Sequence, residues 1–180
     1  MRTQTMLLAA LLAALCPPQS AAAAPVASTP AGREVRVETD LYTFEYSYPA
    51  QAAAIPALKT LLEADRARHR ARFAKFAKEE QANARAGGYE FRKVELTIDW
   101  QVGTELPGWL SLSAAVYTYE GGAHPNHGYD ALLWDKAAGK RRAASDLFTS
   151  KRAFRDVLQK DFCREIDRQR EERRGSKVDR

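Results

Sequence analysis

Val94-Glu95-Leu96-Thr97-Ile98-Asp99-Trp100-Gln101-Val102 alternates apolar and polar residues without a break. A period of two sends successive side chains to opposite faces, so this stretch predicts a strand with one buried and one wet face. A second alternation runs through Trp109 to Tyr119, with Leu110, Leu112, Ala114 and Val116 against Ser111, Ser113, Ala115 and Tyr117. Pro107 and Gly108 stand just before it, and the two runs read as an antiparallel hairpin. Tyr129 to Trp134 predicts a third strand, with Asp135 to Lys140 as its turn.

Toward the N-terminus the period changes. From about Ala52 to Ala86, Ile55, Leu58, Leu61, Leu62, His69, Phe73 and Phe76 recur at spacings of three, four and seven, the mark of one apolar helix face. Pro56 suits a first turn, and Gly87-Gly88 suits a helix end. Arg66, Arg68, Arg70, Arg72, Lys75 and Lys78 crowd the other side and read as a solvated face. Before this helix, Glu34 to Tyr48 alternates again. The parity changes between Val35/Val37 and Tyr42/Phe44/Tyr46/Tyr48, which predicts a turn or bulge near Thr39 and Asp40.

Toward the C-terminus, Ser145 or Asp146 is expected to cap a short turn through Leu147 and Phe148. A helix is expected from about Lys151 to Arg174, with Phe154, Val157, Leu158, Phe162 and Ile166 as its apolar stripe and Cys163 at the edge. Asp167 to Arg174 is almost wholly charged and is expected to fray. Together these elements predict an α+β fold: an antiparallel sheet packed by one long helix, with a second, smaller strand-loop-helix lobe. The expected division is 34–110 for an N-terminal domain and 111–180 for a C-terminal one.

The extreme N-terminus has a different character. Arg2, the apolar run Met6 to Leu15 and the small residues Ser20 to Ala24 read as a signal peptide over 1–24, cleaved near Ala23 or Ala24. The run falls short of the about 20 apolar residues that span a bilayer, and no later segment approaches that length. Lipidation of Cys16 is the rival reading, and the large Leu15 before it argues against it. Residues 25–33 are an Ala/Pro/Ser/Thr tether expected to be disordered. The expected location is therefore periplasmic or secreted, which leaves Cys163 as the one cysteine after cleavage. The chain's 28 Lys and Arg outweigh its 23 Asp and Glu, giving a net charge of +5. That balance suits an anionic envelope surface; for an exported chain no nucleic-acid partner is expected.

Chemistry is sparse. The sequence holds no G-x-S-x-G elbow, phosphate-binding loop or dinucleotide fingerprint. The unusual segment is Tyr117-Thr118-Tyr119-Glu120-Gly121-Gly122-Ala123-His124-Pro125-Asn126-His127-Gly128. Two adjacent glycines are kept where backbone angles closed to other residues are needed, and His124 is expected to hold the loop in place. His124 and His127 form an H-x-x-H pair, a weaker metal-site pattern than H-x-x-x-H on one helix face. A structural loop is the simpler reading, so no catalytic residue, metal or other cofactor is expected. Asp99 reads as a solvated carboxylate on the helix-free side of the sheet, His69 as a satisfied histidine, and Cys163 as core or half of a disulfide.

The segment Tyr117 to Phe148, through its Tyr-x-Tyr-x-Gly-Gly-Ala-His-Pro-Asn run at 117–126, the strand Tyr129 to Asp135, Gly139-Lys140 and Ser145-Asp146-Leu147-Phe148, resembles the extracellular domain of the RsiV anti-sigma factor family. Tyr42 to Pro49 with the helix behind it resembles the domain that accompanies the catalytic domain of the PdaC deacetylase family. The likeness spans about Arg33 to Ile166. It implies an envelope-exposed α+β module, with lysozyme recognition in the RsiV family. It does not imply deacetylase chemistry, which belongs to a separate domain with its own Asp and H-x-x-x-H ligands. Family members continue past the last helix, so a truncated C-terminal domain is expected.

Two functions follow as expectations. The first is an envelope-associated, non-catalytic binding module whose ligand is a lysozyme-like protein or a peptidoglycan-related component. Tyr117, Tyr119, Gly121, Gly122, His124 and Asn126 would form its ligand-binding surface. The alternative is a metal-dependent hydrolase or deacetylase-like enzyme using His124 and His127.

Overall fold

The computed structural model describes residues 32–176. The signal peptide, Cys16 and nearly all of the tether lie outside the described residues. Strands β1 (Arg33–Glu38) and β2 (Tyr42–Tyr48) form an antiparallel hairpin. At its turn the Thr39 hydroxyl accepts from the Tyr42 N–H at 3.0 Å, so the expected change of parity is a tight side-chain-braced corner.

Pro49 ends β2 and leads into one helical turn, α1 (Ala50–Ala53), followed by the long helix α2 (Pro56–Gly87). A single helix from Ala52 was expected, and the two are separate. Pro56 clashes with a helical residue before it, so Ile55 is extended, with φ −103° and ψ 104°. Gly88 closes α2 in the left-handed conformation, φ 67°.

Strands β3 (Val94–Glu105), β4 (Trp109–Tyr119), β5 (Asn126–Asp135) and β6 (Lys140–Arg142) complete a six-stranded sheet in sequence order. The class is α+β, as expected, but the sheet is mixed. β2 and β3 pair in parallel because α2 carries the chain back along the sheet between them; all other neighbours are antiparallel. The 110/111 division falls within β4.

One face of this sheet is buried under α2. Phe44, Tyr46, Leu96, Ile98, Trp100, Leu112 and Ala114 meet Leu58, Leu62, Phe73 and Ala77 there, with Leu61, Phe76 and Val116 half-buried at the margin. The alternation of β3 and β4 predicted this face residue by residue. The other face carries no helix among the described residues.

After β6, a 3₁₀ turn spans Ala144–Leu147, with the Asp146 carboxylate accepting from the Ala143 N–H at 3.2 Å. Helix α3 (Lys151–Arg174) begins at Ser150, whose hydroxyl accepts from the Ala153 N–H. Its charged end was expected to fray and instead stays helical to a left-handed cap at Gly175, φ 67°. Arg168 pairs with both Glu165 and Glu172, three and four residues away, which braces successive turns. The Arg168 bond, then that of the Gln169 amide, hold the Glu165 carboxyl down at about 2. No residue of α3 is buried, and Cys163 is exposed rather than core.

Candidate functional site

The segment singled out in the sequence joins β4 to β5. Paired residues share a face, so the register aligns Arg36, Glu45, Thr97, Tyr117 and His127 across the uncovered side of the sheet. Tyr117 and His127 touch edge to face, their ring centroids 5.4 Å apart at 68°. Arg36 pairs with Glu45, which also accepts from the Thr97 hydroxyl at 3.4 Å. One register step on, Asp99 accepts from Ser47 and, at 2.7 Å, from the Gln101 amide. Asp99 is thus part of a polar ladder, as a structural reading of that carboxylate requires.

The six proposed ligand-binding residues do not converge on one pocket. Tyr117 and Tyr119 lie on the uncovered face, where Tyr119 stands opposite Glu95. Asn126 stands opposite Thr118 and so belongs to the other face. His124 is exposed, and its Nδ1 lies 3.2 Å from the Pro125 carbonyl oxygen. It therefore does not brace the two glycines. Arg92 does, donating to the Gly122 carbonyl at 3.4 Å.

The glycines also differ from each other. Only Gly121 is left-handed, φ +83°, and a Cβ on Gly122 would meet nothing within 4 Å. Gly121→Val is therefore expected to cost about 1–3 kcal/mol, and Gly122→Val to be nearly neutral. Melting temperatures of the two variants check this; a larger drop for Gly122→Val would contradict it.

His127 was expected in the loop, yet β5 begins at Asn126 and places it in the ladder. Among the described residues, no group of three or more His, Cys, Asp or Glu is arranged to hold a metal ion. The H-x-x-H pair is split between an exposed loop and a strand.

β5 has a second property that the sequence did not announce. Only Leu133, Trp134 and Asp135 pair with β6. The Ala131 N–H donates to the Asp130 carboxylate at 2.7 Å, and the Ala131 carbonyl accepts from Arg141 at 3.1 Å. Both backbone groups of Ala131 therefore point away from β4. By the two-residue period, those of His127 and Tyr129 do as well. Tyr129 is 87% exposed on the uncovered face.

A cleft of about 430 Å³ opens between α2 and the sheet, bordered by Asp65, His69, Phe73, Trp100, Glu120 and Asp130. The Trp100 indole donates to the Tyr46 hydroxyl at 3.0 Å, and that hydroxyl donates to Asp65 at 3.1 Å. Burial, then the Asp65 charge, push the Tyr46 hydroxyl far above the ordinary tyrosine range. Beside it Tyr48 donates to Glu63 at 2.6 Å, and burial with that bond raises its hydroxyl to about 12. Burial works to raise the Glu63 carboxyl, but the Tyr48 hydroxyl, Arg66 and Arg33 outweigh it and hold Glu63 low.

Comparison with known proteins gives one family. Residues 35–127, slightly more than half of the chain, match the family described as "Deacetylase PdaC". No curated protein matches the chain. Among solved structures it is similar to a DUF3298 family protein from Pseudomonas aeruginosa PAO1, with 15% identity and a TM-score of 0.41. That alignment covers 64% of this chain and 54% of the other, so the chain spans about half the length of that relative. It is also similar to a DUF3298 member from Bacteroides fragilis, with 14% identity, a TM-score of 0.49, and coverage of 75% and 67%.

Proposed function

The chain belongs to the PdaC family, and from that premise we propose that it is a non-catalytic binding module of the cell envelope whose ligand adds an extended segment along β5. The observation that carries this reading is that, among the described residues, no strand pairs with the outer edge of β5 at His127 and Tyr129. Outward-facing backbone groups at His127 and Tyr129 sit beside an exposed tyrosine ring. An added strand gains main-chain hydrogen bonds from such an edge and side-chain contacts from the face next to it. Tyr117, His127 and Tyr129 supply that face. A strand-donating ligand is a protein, so a lysozyme-like protein suits the site better than a glycan.

Binding of the purified chain to a lysozyme and to peptidoglycan fragments tests the proposal. Tyr129→Pro removes the outward N–H and leaves the β4 bonds intact. It is expected to weaken lysozyme binding about tenfold, the value of a hydrogen bond lost at an interface. Tyr129→Ala, which keeps that N–H, reports the ring alone. Equal binding by wild type and Tyr129→Pro would rule out strand addition. Binding to neither ligand would remove the reading itself.

A further inference from the structure

Given the strand addition proposed above, we propose that the cleft between α2 and the sheet is the specificity pocket of the β5 edge, and that it takes the cationic side chain of an arginine or lysine carried by the added strand. The stretch of edge available to that strand is short. Outward-facing backbone groups recur at His127, Tyr129 and Ala131, and those of Ala131 are already taken by Asp130 and Arg141. Pro125, just before the strand, has no N–H to offer. An added strand therefore bonds at His127 and Tyr129, and one of its residues stands between them, opposite Gly128.

Faces alternate along a strand, and residues opposite one another share a face. The two flanking residues of the ligand thus lie beside the His127 and Tyr129 rings. The middle one points to the other face, on which α2 packs. There Gly128 stands opposite Val116, whose side chain borders the cleft, and two residues before Asp130, which borders it too. Nothing in the backbone requires a glycine at that point. Its φ is not left-handed, and a Cβ on it would meet nothing within 4 Å. A glycine inside a strand costs stability, and it marks a bulge or the close approach of a ligand. The register of β4 with β5 runs through Gly128 without a bulge. Gly128 thus leaves β5 without a side chain where that of the ligand crosses it.

The chemistry of the cleft selects what crosses. Phe73, Phe76 and Val116 offer apolar surface to an aliphatic stem. Asp130 accepts the Ala131 N–H and forms no ion pair among the described residues. Asp65 is already bonded by Arg68 and Tyr46 and supplies no free charge. Arg72 and His69 border the cleft from α2, whereas Asp130 lies on β5 itself, diagonal to the middle residue of the ligand. Diagonal neighbours on paired strands are about 7–8 Å apart, within reach of a long side chain. A lysine or arginine can therefore lay its stem on Val116 while its charge meets Asp130.

Capped peptides of sequence Thr-Val-Xaa-Val-Thr, with arginine, leucine or glutamate at Xaa, test this when titrated into the full chain and followed by fluorescence anisotropy. The arginine peptide is expected to bind about tenfold more tightly than the leucine peptide, the effect of one charge-assisted hydrogen bond. The glutamate peptide should bind most weakly. Asp130→Asn keeps an acceptor for the Ala131 N–H and should remove most of the arginine preference; Asp130→Arg should turn the preference to glutamate. Gly128→Val fills the crossing and should bring the arginine and leucine peptides to one affinity. Near-ultraviolet circular dichroism verifies that each variant is folded. Equal binding of all three peptides by the wild type, lost in Tyr129→Pro, would leave strand addition standing and overturn the pocket. An arginine preference undiminished in Asp130→Asn or in Gly128→Val overturns it as well. Binding of none of the peptides removes strand addition and the pocket together.

Discussion

Replacing Phe44 by alanine is expected to lower the free energy of unfolding by about 3–5 kcal/mol. Phe44 is fully buried and stacks on Tyr46, their centroids 6.5 Å apart at 21°. It stands opposite Val37 on one side and Leu96 on the other, in a strand hydrogen-bonded along both edges. Ladders on both sides keep the backbone from collapsing into the space the ring would leave. The loss therefore includes most of the cavity penalty as well as the transfer energy. Chemical denaturation of wild type and variant measures it. A difference under about 1 kcal/mol would mean that the tyrosine-rich face of β2 is not the core.

At alkaline pH, two of the seven tyrosines are expected to be missing from the ultraviolet titration of phenolate. Tyr46 and Tyr48 are buried and donate to carboxylates, and both effects favour the neutral hydroxyl. Their values in the fold lie above the value of about 10 in an unfolded chain, Tyr48 at about 12. The resulting stability is complete below the unfolded value and is lost as pH rises through the folded one. Between about 10 and 12, then, unfolding should ease with rising pH while these two groups stay protonated. They should ionise together with the loss of structure. A titration in which all seven ionise as one class near the ordinary value would show that neither hydroxyl is held.

The sequence disclosed faces better than neighbours. Alternation in Val94 to Val102 identified which side chains go inward, because burial of one face leaves a period of two. It carried no information on which strand lies alongside, so the parallel pairing of β2 with β3 was invisible. Asn126, His127 and Gly128 have turn composition, yet the ladder with Thr118, Tyr117 and Val116 makes them strand. Tertiary pairing there overrode local preference. At the glycine pair the need for an unusual angle was readable, but composition alone could not say that Gly121 meets it. The Tyr46–Asp65 bond joins residues nineteen apart in different elements, and no spacing rule reaches it.

The parallel seam between β2 and β3 is also the one non-local pairing between neighbouring strands of the sheet. On one side of it, β1 and β2 close through a three-residue corner; on the other, β3 to β6 form a meander of short connections. Both pieces need only small loops to be closed. Joining Ser47 to Asp99 requires a loop of about fifty residues, with its larger entropic cost. Pairing across the seam therefore carries the largest loop-closure cost in the sheet, and the 32 residues of α2 fill most of that loop. Non-local pairing of this kind is the slow part of assembling a sheet, so the edges of β2 and β3 are where a chain not yet folded is most open to pairing with others.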